Sequence, residues 1–319
     1  MSNIYYTGLI TDIPGILVGH SEDINARTGV TVVRCDSGAV ASVDVRGAAP
    51  GTRETDLLRP ECSVERIHAI ALCGGSAFGL DAAGGVMARL EEEGIGLPVM
   101  PGIRVPIVCA AVLFDLGIGS ATVRPDAYMG RTACASAGKA FKQGMAGVGC
   151  GATVGKLSGI FSPGAAPARG GVGSASMRTC DGYIVGAIAA VNAAGDILHH
   201  ETGEVLACGT LNGSPVYMKD ALYAAGAYNS AFERALTGTN TTLAVVATNA
   251  VLSKAQAKRL AMSAHDGFAR TIFPAHTPVD GDTAFALATC ERDGEPPMIA
   301  LCALAAEVTA RAIVNAVTA

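Results

Sequence analysis

The chain reads as a layered α/β protein, and two observations carry that reading. Short apolar runs bounded by glycine or polar turns alternate with longer segments that carry helix start and stop signals, the mixed order expected when helices pack on sheets. Composition agrees. Half of the 319 residues are hydrophobic, yet only 5% are aromatic, Trp is absent, and the 40 glycines sit between apolar runs rather than in polar repeats. Such a chain is long enough to bury a sizeable core and would bring strands and helices close through small contact residues.

The elements follow in order. Residues 28–35 and 40–45 read as two strands, and residues 67–72 as a buried strand that turns at Gly74-Gly75. Ser76 is placed to cap a helix running to about Glu93, stopped by Gly94. Pro125-Asp126 opens a second helix to about Phe141, and residues 183–191 are a buried strand. A further strand occupies residues 243–247, after which Ser253-Lys254-Ala255-Gln256 has the form of a capping box and starts a helix to about Arg270. Residues 284–289 are the last strand, and residues 297–317 hold a final helix.

Several function classes are disfavoured at this level. A mean hydropathy of +0.38 raises the question of a membrane protein. No uninterrupted apolar run approaches the roughly 18–20 residues of a spanning helix, since those at 184–191 and 298–306 are stopped by Asn192 and Glu307 and read as core. The start, Met1 to Tyr6, lacks a basic stretch followed by an apolar one, so no secretory signal and a cytoplasmic location are expected. None of the ten cysteines forms a C-x-x-C pair, which argues against a zinc ribbon and for reduced, buried thiols. The net charge of −5 comes without a long single-sign run, so no nucleic-acid partner is expected.

Three local patterns resemble sites and fail on inspection. In Gly74-Gly75-Ser76-Ala77-Phe78-Gly79, Phe78 stands where a nucleophile elbow needs its second glycine. Gly170-Gly171-Val172-Gly173 lacks the Walker lysine and the dinucleotide fingerprint. Both read as tight turns, the second a candidate pocket lining. His199-His200 with Glu201 hints at a metal, but adjacent histidines on a strand point to opposite faces, so a surface turn is the better reading. No cofactor and no metal are expected.

Chemistry concentrates at Gly238-Thr239-Asn240-Thr241-Thr242, which runs straight into the apolar segment 243–247. A threonine hydroxyl can attack the carbonyl before it. Once that peptide breaks, Thr241 carries a hydroxyl nucleophile and an α-amine that titrates at about 7.7–8.0, so one residue supplies nucleophile and base. By itself, Asn-Thr-Thr is only a loop entering a buried strand. Other candidates share the chain with it: Asp280-Gly281-Asp282-Thr283, Gly155-Lys156, and Asn192, an amide that ends an apolar strand. A calcium loop starting at Asp280 is a poor fit, because an EF-hand would want glycine where Phe285 stands.

The layout of blocks is similar to the aminopeptidase/D-esterase family of self-processing hydrolases, which includes β-peptidyl aminopeptidases and nylon-oligomer hydrolases. The resemblance runs over nearly the whole chain: Thr11-Asp12-Ile13-Pro14-Gly15, Val18-Gly19-His20, residues 28–32, Val43 to Asp56, Gly74 to Leu80, and Val105-Pro106-Ile107-Val108. It implies a four-layer αββα sandwich of the N-terminal-nucleophile-like type, shared with the ornithine acetyltransferase superfamily. It implies one domain cut between Asn240 and Thr241 into an α part, 1–240, and a β part, 241–319, with residues 209–240 as the arm leading to the cut. Thr241 would be the nucleophile. Asp280 and Asp282 would orient it and its new amine, Lys156 would be a charged partner near the hydroxyl, and Asn192 would donate to the tetrahedral oxyanion. Asn before Thr-Thr, and Asp at position 280, match the nylon-oligomer branch more closely than the β-peptidyl branch.

The expected function is therefore a self-activated threonine amidohydrolase for short peptides, amino-acid amides or esters, or ω-amino-acid oligomers. The resemblance also implies a homo-oligomer, a tetramer or larger. The alternatives are an acyltransferase of the ornithine acetyltransferase type, which shares the Asp-Gly-Asp-Thr block, and a non-catalytic scaffold that keeps the fold.

Overall fold

Alternation of apolar side chains along extended segments builds the centre of the molecule, for which a computed structural model describes residues 6–224 and 238–319. Residues 1–5, in the start where no secretory signal is expected, and residues 225–237, within the expected arm, lie outside the described residues. The main elements are β1 (Ile16–Asp23), β2 (Thr28–Val45), β3 (Arg66–Cys73), α1 (Ala82–Glu92), β4 (Val108–Val112) and α2 (Ala127–Ala135). They continue with β5 (Gly171–Arg178), β6 (Ile184–Asn192), β7 (Thr241–Ala250), α3 (Lys254–Thr271), β8 (Thr283–Arg292) and α4 (Met298–Thr318).

The strands hydrogen-bond in the order β5-β6-β7-β8-β2-β3-β4, with Thr52–Arg53 at the far edge and β1 added on β2. β7 and β8 run parallel, as do β3 and β4, while β2 is antiparallel to both β8 and β3. Because β2 is 18 residues long, its first half pairs with β1 and β3 and its second half with β8, and the ladder folds over into two facing layers. Val33, Ile70, Leu72, Ile188, Val245 and Phe285 fill the space between the layers.

The period of two sorts each strand between this inner core and an outer one. In β7, Leu243, Val245 and Ala247 point inward, whereas Ala244 and Val246 meet Leu260 and Phe268 of α3 and Val308 and Ile313 of α4. On the opposite side Val30, Val32, Ala69 and Ala71 pack beneath Val86 and Leu90 of α1 and Ala133 of α2. Helix, sheet, sheet, helix is the four-layer αββα sandwich.

Strand pairing and close packing account for most of the differences from expectation. The strands expected at 28–35 and 40–45 are one, because Asp36-Ser37-Gly38 forms a bulge with a register shift against β3 instead of ending the strand. The helix after Gly75 begins as a 3₁₀ segment, Ser76–Asp81, with Gly75 at its N-cap position and no side-chain cap from Ser76. Asp126 does cap α2 by accepting from Met129 N, but the helix stops at Ala135 rather than Phe141. The chain there leaves to exchange both backbone hydrogen bonds between Gly138 and Val18. Gly171 and Gly173 lie within β5, not in a turn; a Cβ at either would run into the α4 carbonyls of Ala316 or Ala312. The capping box at Ser253 and Gln256 forms as read.

Although its sequence is interrupted at Glu307, α4 is long and apolar enough to cross a membrane by length and composition alone. Its residues Leu301, Ala305, Val308, Ala312 and Ile313 belong to the core, and Glu307 and Arg311 interrupt it with an ion pair, so it is a core helix. Cys35, Cys73, Cys109, Cys134 and Cys150 are buried, but Cys180 is exposed. His199 and His200 do lie at a turn. It is not a surface one for the rings, since His199 is buried, the two rings stack at 5.2 Å, and His200 faces Glu307.

Candidate active site

Register alone assembles much of the site. β6 ends at Asn192 and β7 begins at Thr241, and the two residues are cross-strand partners. Parallel pairing of β7 with β8 starts at Leu243 and Thr283, which lays the loop before β8 beside the residues before β7. Asn240 bridges to Asp280, and Gly281 N–H donates to the Asn240 carbonyl at 2.8 Å. The Thr241 hydroxyl, itself buried, donates to the same carbonyl at 2.6 Å.

The aspartate loop is held from several sides. Asp282 Oδ1 accepts from Thr242 N at 2.7 Å, and its Oδ2 accepts from His276 N at 3.1 Å and faces His276 Nδ1 at 2.8 Å. Asp280 Oδ2 accepts from Thr277 N at 2.7 Å. The block Arg46-Gly47-Ala48-Ala49 supports the loop from beneath: Arg46 N and Gly47 N donate to the Asp282 carbonyl and Ala49 N to that of Asp280. Gly281 has no room for a side chain, since a Cβ there would lie 2.6 Å from the Thr241 Oγ and 2.7 Å from the Ala49 carbonyl.

Lys156 and Asn192 form the opposite wall. The Lys156 Nζ donates to Asn192 Oδ1 at 2.7 Å, to the Asn192 carbonyl at 3.0 Å and to the Thr239 carbonyl at 3.1 Å. Asn192 Oδ1 also accepts from Thr153 N, while its Nδ2 donates to the carbonyls of Phe114 at 3.0 Å and Thr239 at 3.4 Å. The Asn192 amide is thus engaged by the Phe114 and Thr239 carbonyls, while the Asn240 carbonyl receives the Gly281 N–H and the Thr241 hydroxyl. A small cavity of about 100 Å³ adjoins this wall, lined by Phe114, Ile118, Thr153, Pro167, Lys156 and Thr239.

Burial sets the electrostatics. It pulls the Lys156 ammonium down to about 7, against the opposing pull of the Asp280, Asp115 and Asp282 charges. It pushes the Asp280 carboxyl up to about 6, with the Asp282 charge adding to the rise and Thr277 and Lys156 opposing it. Two groups that would normally titrate far apart are therefore brought together near neutrality, an arrangement common where protons are moved.

All five residues singled out from the sequence converge here, together with Asn240, the residue before the expected cut. Sequence reasoning missed three others. Gly281 acts through its backbone, His276 reaches Asp282, and Asp115, buried beside Lys156, accepts from Thr28 Oγ1 and Gly75 N at 2.7 Å each. An aspartate inside the run Leu113-Phe114-Asp115-Leu116 was a readable signal; the other two carried none. The described residues also bring the donor atoms of His200, Glu201 and Glu307 within 4.8 Å of one another. Glu307 already pairs with Arg270 and Arg311 at 2.9 Å each, so its charge is met without a metal.

Comparison with known proteins completes the description. The model of peptidase family S58 matches residues 8–319. An uncharacterised aminopeptidase of Mycobacterium tuberculosis is 45% identical over 297 residues, covering 88% of this chain and 81% of that protein. A 6-aminohexanoate-oligomer endohydrolase of Kocuria sp. is 32% identical over 288 residues, covering 88% and 75%. Among solved structures, a Burkholderia sp. beta-aminopeptidase superposes with a TM-score of 0.69 at 22% identity, over 98% of this chain and 86% of that one. The L-aminopeptidase D-Ala-esterase/amidase of Ochrobactrum anthropi, described as a variant of the Ntn hydrolase fold, gives 0.66 at 16% identity over 99% and 87%. At those identities the two structures speak to the fold.

Proposed function

The chain belongs to peptidase family S58 and is a hydrolase of amide bonds, and on that premise we propose that it activates itself by cutting between Asn240 and Thr241 and then uses Thr241 as an N-terminal nucleophile. The observation that carries this reading is the Asn240 carbonyl, which receives both the Thr241 hydroxyl and the Gly281 N–H. Attack by Oγ on the Asn240 carbonyl carbon places negative charge on that oxygen, where a fixed backbone donor at 2.8 Å stabilises it. Collapse expels the Thr241 nitrogen, which takes up a proton, and leaves an ester. Water hydrolyses the ester to an Asn240 carboxylate and a free Thr241 amine.

The substrate cycle repeats this chemistry in trans. The Thr241 amine accepts the Oγ proton, Oγ attacks the substrate carbonyl, and the same proton passes to the leaving amine. The acyl-enzyme is then released by water. Lys156 and Asn192, which hold the Thr239 carbonyl in the uncut chain, become available to a substrate carbonyl once the 1–240 part yields its end. Short peptides, amino-acid amides and ω-amino-acid oligomers are the proposed substrates, in line with the names of the mycobacterial and Kocuria relatives.

The test follows freshly purified protein from pH 5 to 8, scoring both fragment formation and release of a small amide. Attack needs proton acceptors, and Asp280 and Lys156 become such acceptors as pH rises through about 6 and about 7. Cutting should accelerate across that window and level off above it, with hydrolysis appearing in step with the fragments. Hydrolysis at full rate by the uncut chain, or a cutting rate flat from pH 5 to 8, would contradict the mechanism.

A further inference from the structure

Behind the aspartate loop lies a pair of imidazoles, His265 buried and His276 half-buried, that the chemistry above does not use. His276 is a non-glycine residue at φ +54, in the left-handed region, a conformation that the surroundings must hold in place. In that conformation its backbone N–H and its Nδ1 both reach Asp282 Oδ2, at 3.1 and 2.8 Å. The next residue gives its N–H to Asp280, so Pro278 is preceded by two residues that hold both carboxylates of the loop.

The ring is wedged as well as bonded. His265, on α3, crosses it edge-on at 4.7 Å between centroids, and Phe268 lies at 5.6 Å. His265 is anchored in turn by Nε2 on the Asp44 carbonyl at 3.0 Å, and Asp44 is paired with Lys258. Burial pulls the His265 imidazole down to about 4, so it stands neutral near pH 7 and donates that Nε2–H. A carboxylate opposite His276 Nδ1 assigns the proton to that nitrogen.

We propose that His276, braced by His265, is a positioning residue for the self-cleaving site: its Nδ1–H fixes the Asp282 carboxylate, whose other oxygen holds Thr242 N and so orients the Thr241 hydroxyl. The lever is short. Asp282 Oδ1 accepts from Thr242 N at 2.7 Å, one peptide from the nucleophile, and turning the carboxylate would release that peptide plane. The proposal rests on the reading of Thr241 as nucleophile.

Two substitutions separate hydrogen bonding from packing. His276→Asn keeps a side-chain donor and tolerates left-handed backbone, while His276→Phe keeps a ring against His265 and Phe268 but removes the donor. Both are compared with wild type for the rate of chain cutting and, in the cut fraction, for kcat and KM on a small amide. Loss of one hydrogen bond to a charged group predicts that His276→Phe cuts about 10- to 100-fold more slowly, with kcat lowered and KM little changed. His276→Asn should recover to within about tenfold of wild type. The reverse order, equal rates in the two variants, or failure of both to fold would show that the ring only fills space and would overturn the proposal. A wild-type chain that hydrolyses amides without cutting itself would sink the self-activation reading, and the Asn-versus-Phe order in kcat would still decide the role of His276.

Discussion

Replacing Thr241 with alanine is expected to leave a folded, full-length chain that neither cuts itself nor hydrolyses amides, with activity lower by at least about a thousandfold. The substitution removes one buried hydroxyl at the start of a strand whose core contacts begin at Leu243, so the fold has little reason to change. What disappears is the proposed attacking atom, Oγ, which lies 2.6 Å from the Asn240 carbonyl oxygen. Thr241→Ser keeps that oxygen and should cut, at a rate altered by the freer χ1 of serine. Circular dichroism with gel analysis of the three proteins checks both statements, and cutting in the alanine variant would exclude Thr241 as the nucleophile.

Gly281→Ala should be nearly as damaging, for a different reason. The new methyl group would stand 2.6 Å from the Thr241 Oγ and 2.7 Å from the Ala49 carbonyl, so either the hydroxyl or the loop must move. Movement of the loop carries away the N–H that donates to the Asn240 carbonyl. Losing one oxyanion donor costs about 10²–10³-fold in rate. The cutting rate should fall by about that factor while the β7–β8 ladder, which starts beyond the loop at Leu243 and Thr283, keeps the protein folded. A folded Gly281→Ala variant that cuts at the wild-type rate would rule out the backbone donor.

Much of the fold was legible because the signals were local. The runs in β6, β7 and β8 alternate between two cores, and the Ser253–Gln256 box starts α3 where it was read. Errors arose where tertiary pairing overrode a local cue. Asp36-Ser37-Gly38 looks like a turn between strands, yet β2 continues through it because β3 and β8 pair with its two halves. Residues 136–141 could have prolonged α2, but Gly138 is claimed by Val18.

The site divides in the same way. Thr241, Lys156, Asn192, Asp280 and Asp282 stood in blocks recognisable by resemblance, and the fold brings them within reach of one another. Gly281 was visible only as the middle of an Asp-Gly-Asp turn, because a backbone donor leaves no mark on residue choice beyond the missing side chain. His276 was invisible for a related reason, since its partner lies six residues on and its brace, His265, comes from another element. The contacts of the Asn192 amide to the Phe114 and Thr239 carbonyls were not legible either, because they depend on angles and not on sequence.

Denaturing mass spectrometry of the purified wild-type chain tests the central claim most directly. The account predicts two masses that meet at Asn240 and Thr241, residues 1–240 and residues 241–319, in a protein that hydrolyses small amides. A single full-length mass after prolonged incubation at neutral pH, in a protein with amide hydrolysis intact, would contradict it.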